Sequence, residues 1–161
     1  MTNWVIGLII PTYLLERLVL KMSKIAVVYW SGTGNTETMA SAVVDGAKAA
    51  GADVELFTAS EFGPDKMDSY DRIAFGCPAM GSEQLEESEF EPMFSRCEPK
   101  LAGKKIALFG SYAWAEGEWM QTWTQQCKDD GADLACESVI AYDAPDDEAI
   151  EKCKALGAAL A

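Results

Sequence analysis

The sequence predicts an α/β domain, a doubly wound parallel sheet covered by helices on both faces. Apolar, β-branched runs alternate with stretches whose apolar residues recur at helical spacing. The runs at 72–77 and 104–110 are almost continuously apolar, as strands buried on both faces are. Three polar loops, at 31–36, 78–83 and 111–118, each follow a strand. A parallel arrangement gathers such loops at one edge of the sheet, where these folds bind ligands.

The elements follow in order. Residues 25–30 form the first strand, and a loop of hydroxyls and glycines leads into a helix bearing Met39, Ala42, Val43, Gly46 and Ala47, stopped by Gly51. Asp53 to Thr58 is a short second strand, and 59–70 reads as a polar connection. The third strand runs from Arg72 to Cys77 into Pro78-Ala-Met-Gly-Ser-Glu83. The acidic segment Gln84–Glu91 leads to a helix with Phe90, Phe94 and Cys97 on one face. Lys104 to Gly110 is the fourth strand, followed by Ser111-Tyr-Ala-Trp114 and a polar turn. Trp119, Met120, Trp123 and Cys127 mark the next helix, closed by Gly131. Leu134 to Tyr142 supplies a fifth strand, and Asp146 caps a last helix with Ile150, Cys153, Gly157 and Leu160.

Composition narrows the function classes. A chain of 161 residues suits one domain with a sizeable core. The net charge of -13 argues against nucleic acid and anionic lipid, and for cationic partners. There is no His, which removes the commonest general base and metal ligand, and no metal site is expected. Five Cys, an odd number without C-x-x-C spacing, read as reduced cytoplasmic thiols. Residues 1–21 stand apart: Trp4–Leu15 is apolar but broken by Pro11, and is shorter than the roughly 18 residues of a membrane span. It also lacks the features of a secretory signal. Residues 1–21 are therefore expected to be an extension without chemistry, upstream of a natural start at Met22, with an interfacial helix as the alternative. Residues 22–161 are the expected domain.

The first loop, Ser31-Gly-Thr-Gly-Asn-Thr36, has the makings of an anion trap. Strand, tight loop and helix start together aim backbone N–H groups and the positive end of a helix dipole at one point. Ser31, Thr33 and Thr36 add hydroxyls and Asn35 an amide, while Gly32 and Gly34 let the backbone wrap closely. A Walker loop is excluded because Gly-Asn-Thr stands where Gly-Lys-Ser/Thr is needed. A dinucleotide fingerprint fails at Glu37, where its third Gly belongs. What remains is a site for one terminal phosphate monoester. Met80, Tyr112 and Trp114 in the other loops suit a flat ring, so phosphate and ring together suggest a mononucleotide.

Three stretches carry a resemblance: Tyr29-Trp-Ser-Gly-Thr-Gly-Asn-Thr-Glu37, Gly76-Cys-Pro-Ala-Met-Gly-Ser-Glu83, and Gly110-Ser-Tyr-Ala-Trp114 continuing to Trp119. In these the chain resembles the flavodoxins, in particular the short-chain group of anaerobic bacteria. The resemblance implies a five-stranded parallel sheet of order 2-1-3-4-5 in a three-layer α/β/α sandwich, and bound FMN. Ser31, Gly32, Thr33, Gly34, Asn35 and Thr36 would surround the phosphate. Pro78, Ala79, Met80, Gly81 and Ser82 would line the ring edge, with Met80 on its inner face, Trp114 on its outer face and Glu83 accepting from N3–H. Ser111, Tyr112 and Ala113 complete the implied set, Ala113 standing where Gly is usual.

The implied function is a low-potential one-electron carrier shuttling between FMN semiquinone and hydroquinone, not an enzyme. Rotation of the Met80-Gly81 peptide is expected to serve the semiquinone, because Gly tolerates positive φ. Acids at 83, 86, 87, 116 and 118 are expected to disfavour the anionic hydroquinone, and these with 89 and 91 to ring the exposed edge and steer basic redox partner proteins. An FMN-dependent quinone or nitro reductase is the alternative. No added segment for a nicotinamide pocket or dimer interface is visible, and a cytoplasmic monomer is expected.

Overall fold

The computed structural model describes residues 11–12 and 23–161. Apart from Pro11 and Thr12, the extension expected at 1–21 lies outside the described residues, as does Met22. Among the described residues no helix is long and apolar enough to cross a membrane.

Strand β1 (Lys24–Tyr29) lies between β2 (Asp53–Thr58) and β3 (Arg72–Gly76), and β4 (Lys105–Tyr112) lies beyond β3, all parallel. The fifth position is shared by β5 (Asp133–Leu134) and β6 (Val139–Tyr142), both paired with β4. The order is therefore the expected 2-1-3-4-5. Alternation along β1 feeds two cores. Ile25 and Val27 face helices α1 (Asn35–Ala49) and α5 (Asp147–Leu160), while Ala26 and Val28 face the opposite layer.

The two layers pack differently. On the α1/α5 side small residues bring backbones together: a Cβ on Gly46 would lie 2.0 Å from the Lys154 carbonyl oxygen, and one on Gly157 2.0 Å from that of Val43. Across the sheet the filling is aromatic. Helices α3 (Phe90–Cys97) and α4 (Glu118–Asp129) bring Phe90, Phe94 and Trp123 together, with Phe75–Phe94 and Phe90–Trp123 edge to face at 5.3 and 5.5 Å.

Three expectations need adjustment. The connection at 59–70 is not merely polar: it holds a 3₁₀ turn (Ala59–Glu61) and a short helix α2 (Pro64–Met67), and buries Phe62, Met67 and Tyr70 under the sheet. Strand β4 continues through Ser111 and Tyr112, so these two residues are strand end rather than loop. The fifth strand is broken. Ile106 pairs with Leu134 and Phe109 with Val139, so Ala107 and Leu108 stand opposite residues 135–138. The polar stretch Cys136-Glu-Ser138 leaves the ladder there, and the Ser138 hydroxyl reaches that of Thr124 on α4 at 3.0 Å.

Candidate cofactor cleft

β1 ends at Tyr29 and α1 begins at Asn35. Between them, Ser31 Oγ accepts from the Gly34 N–H at 3.1 Å, and Gly34 takes the left-handed φ of 96° that starts the helix. Among the described residues no side chain caps α1, so the N–H groups of its first turn remain available to a ligand. Thr36 is buried, its Oγ1 3.1 Å from Ser111 Oγ, which ties the first loop to the end of β4.

The second loop is closed at its neck. Met80 and Gln84 exchange N–H···O bonds of 2.8 and 2.9 Å. Beyond the neck, Gly81 and Glu83 both have left-handed φ, 54° and 57°. Glu83 Oε2 accepts from the Trp119 N–H at 3.0 Å and so caps α4, whose own N-cap residue, Gly117, offers no side chain. Glu83 Oε1 is buried and has no hydrogen-bond partner among the described residues. Behind the loop the backbones approach closely: a Cβ on Gly110 would lie 2.1 Å from the Cys77 carbonyl oxygen. That carbonyl also accepts from Trp119 Nε1 at 3.2 Å.

The three loops meet in one cleft. It is lined by Gly32, Thr33 and Asn35, by Pro78, Ala79 and Met80, and by Ser111, Tyr112, Ala113 and Trp114. Trp114 is 57% exposed, an uncommon setting for so large an apolar side chain. Ser31, Gly34 and Thr36 are not among the lining residues, and Gly81 and Ser82 lie at the exposed loop tip. Glu83 borders an adjoining groove with Glu87, Glu91 and Trp123.

A sequence model of the family described as Flavodoxin matches residues 27–157. The chain is 49% identical over 137 residues to a flavodoxin of Megasphaera elsdenii, covering 85% of this chain and 98% of that one. It is 42% identical over 135 residues to a flavodoxin of Clostridium beijerinckii, covering 84% and 97%. The chain belongs to the flavodoxin family. The solution structure of two-electron reduced M. elsdenii flavodoxin superposes with a TM-score of 0.78, covering 84% of this chain and 97% of that one. A flavodoxin carries FMN and passes electrons between redox proteins rather than transforming a substrate.

Two cleft residues of this flavodoxin were missed from sequence: Trp30 and Asp143. Asp143 follows β6, has a left-handed φ of 55°, and its N–H donates to the Tyr112 carbonyl at 2.7 Å. The available signal was that the loop after the fifth strand, like the other three, ends a strand at the same rim. One expected rim acid is misplaced. Glu86 is only 5% exposed, and it accepts from Ser88 N and Oγ, Glu89 N and Phe90 N at the start of α3. Burial pushes its carboxyl up, but these donors outweigh burial and hold it below the usual range. Glu87, Glu89, Glu91, Glu116 and Glu118 are exposed as expected. Cys77, Cys97, Cys127 and Cys153 are buried free thiols, and burial raises the pKa of each.

Proposed function

We propose that this flavodoxin is a low-potential, cytoplasmic, monomeric one-electron carrier working between the one- and two-electron-reduced states of FMN. The observation that carries the reading is the meeting of three strand-end loops in one cleft. One loop offers hydroxyls and free N–H groups without a cation, and the others offer Met80, Tyr112 and Trp114.

Ser31, Thr33, Asn35 and Thr36, with Gly32 and Gly34, hold the phosphate in this reading. Its charge is balanced by hydrogen bonds and the end of α1, equivalent to roughly half a positive charge. Met80 and Trp114 would flank the ring, Pro78, Ala79, Gly81 and Ser82 would follow its edge, and Ser111, Tyr112 and Ala113 would complete the wall of the cleft. The fit rests on Glu83. Its Oε2 is fixed by the Trp119 N–H while the buried Oε1 lacks a donor among the described residues, so it could accept from a ring N–H of bound FMN. Unsatisfied, such an acceptor costs about 1–3 kcal/mol or more.

FMN supplies the one-electron chemistry when bound. Apolar walls limit water around the ring, and the fixed charge of Glu83 opposes a second added electron. The Met80 carbonyl is already taken by the Gln84 N–H. The peptide free to turn is thus Gly81-Ser82, one residue beyond the expected Met80-Gly81. Exposed acids at 87, 89, 91, 116 and 118 steer basic redox partners. Mass analysis of cofactor released by heat tests the cofactor assignment: FMN is expected, and FAD as the sole flavin overturns it.

A further inference from the structure

Loop 78–85 has a fixed base, a fixed neck and a free tip. At the base, the Glu86 N–H donates to Cys77 Sγ at 3.4 Å, pinning together the residues on either side of the loop. At the neck, Met80 and Gln84 pair. Among the described residues, Gly81, Ser82 and Glu83 make no backbone–backbone hydrogen bond in this turn.

Glu86 is the junction between that loop and the core. Its Oε2 takes the N–H groups of Glu89 and Phe90, both at 2.9 Å, and its Oε1 takes the N–H and hydroxyl of Ser88. Its carbonyl accepts from Glu91 N at 2.8 Å. Phe90 is fully buried and packs edge to face on Trp123. No cation pairs with this carboxylate among the described ion pairs, so N–H and O–H dipoles alone hold its charge. The side chain therefore couples the base of the ring-facing loop to a rigid helix.

We propose that Glu86 is a positioning residue for electron transfer: it immobilises the base of loop 78–85, so that only the Gly81-Ser82 tip rearranges when the cofactor changes redox state. The inference rests on the carrier reading. A looser base makes the tip's ordered arrangement cost more conformational entropy. That weakens the one-electron-reduced state, which the turned Gly81-Ser82 peptide would serve, relative to the other two, while the phosphate grip is untouched.

The test is E86Q, which keeps the shape but removes the charge and replaces one of the two acceptor oxygens by an NH2 donor. Reductive titrations of the FMN-loaded protein, followed by absorbance, give the maximum fraction of one-electron-reduced flavin. The comproportionation constant is expected to fall at least tenfold, with the affinity for oxidised FMN changed less than threefold. S88A, which removes one donor to the same carboxylate, is expected to shift the constant in the same direction by a smaller factor, and it decides if E86Q does not fold. A lowered melting temperature with an unmoved constant overturns the inference and leaves Glu86 as a helix cap only. If the wild type itself takes both electrons in one step, the carrier reading fails and the inference with it; a normal wild type with unmoved variants overturns the inference alone.

Discussion

Gly157→Ala is the sharpest test of how the site is mounted on its scaffold. The new Cβ would lie 2.0 Å from the Val43 carbonyl oxygen and 2.8 Å from the Ala47 nitrogen, both backbone atoms that cannot rotate aside. Ordinary contact begins near 3.4 Å, so α1 and α5 must part by roughly 1 Å over a face that buries Val43, Ala47, Cys153, Leu156 and Leu160. Overpacking of this kind costs about 1–3 kcal/mol, and the opened face loses further dispersion contacts, so about 2–4 kcal/mol is expected. Gly46→Ala meets the Lys154 carbonyl in the same crossing. One separation relieves both clashes, so the double variant should be more stable than additivity predicts by ~1 kcal/mol or more. The crossing lies roughly 16 Å along α1 from Asn35, at about 1.5 Å per residue. The first loop is held instead by β1 and the Thr36–Ser111 contact. FMN affinity should therefore change less than about threefold while stability falls, a small loss on the scale where tenfold is about 1.4 kcal/mol. Urea unfolding with FMN titration by fluorescence reads both quantities. Strict additivity, or an affinity loss beyond about tenfold, refutes this division of labour.

Three further outcomes follow from the site. Glu83→Gln removes a charge several ångströms from the ring, worth roughly 1–3 kcal/mol at an effective dielectric near 20, or about 40–130 mV for one electron. The second reduction should become less negative by that amount, and spectroelectrochemistry showing no shift or a more negative one counts against the placement. Glu86 has its carboxyl lowered in the folded state, so its contribution to stability is present above its ordinary value of 4.5 and is lost as pH falls through the folded value. Below that ordinary value the wild type should lose stability more steeply than E86Q; parallel acid profiles from denaturant melts contradict the capping role. Electron transfer to a basic partner should slow steeply as salt shortens the Debye length from about 10 Å at 0.1 M to about 3 Å at 1 M. Stopped-flow rates indifferent to salt, where encounter is limiting, exclude electrostatic docking.

What the sequence disclosed followed local chemistry. β1, β3 and β4 were legible because double burial demands unbroken apolar runs, and the loops because hydroxyls and glycines interrupt those runs abruptly. Long-range relations were not legible. Glu86 sits in the run Glu86-Glu-Ser-Glu89, which spacing alone reads as a solvated acidic face; only the fold turns its carboxylate onto three N–H groups. Glu83 was marked through family resemblance, yet its cap on α4, 36 residues away, has no local signature. The 59–70 connection looked polar because its buried residues are few and irregularly spaced. The break in the fifth strand arises from a mismatch with β4 that no single strand reveals. Asp143 and Trp30 reach the cleft by geometry, not by any motif of their own.

One-electron transport on FMN is tested by an anaerobic reductive titration monitored by absorbance and potential. One bound FMN per chain is expected to be reduced in two separate one-electron steps, the second at distinctly lower potential, with no oxidation of NADPH by the protein alone. A single two-electron step, or unaided turnover of NADPH, would contradict it.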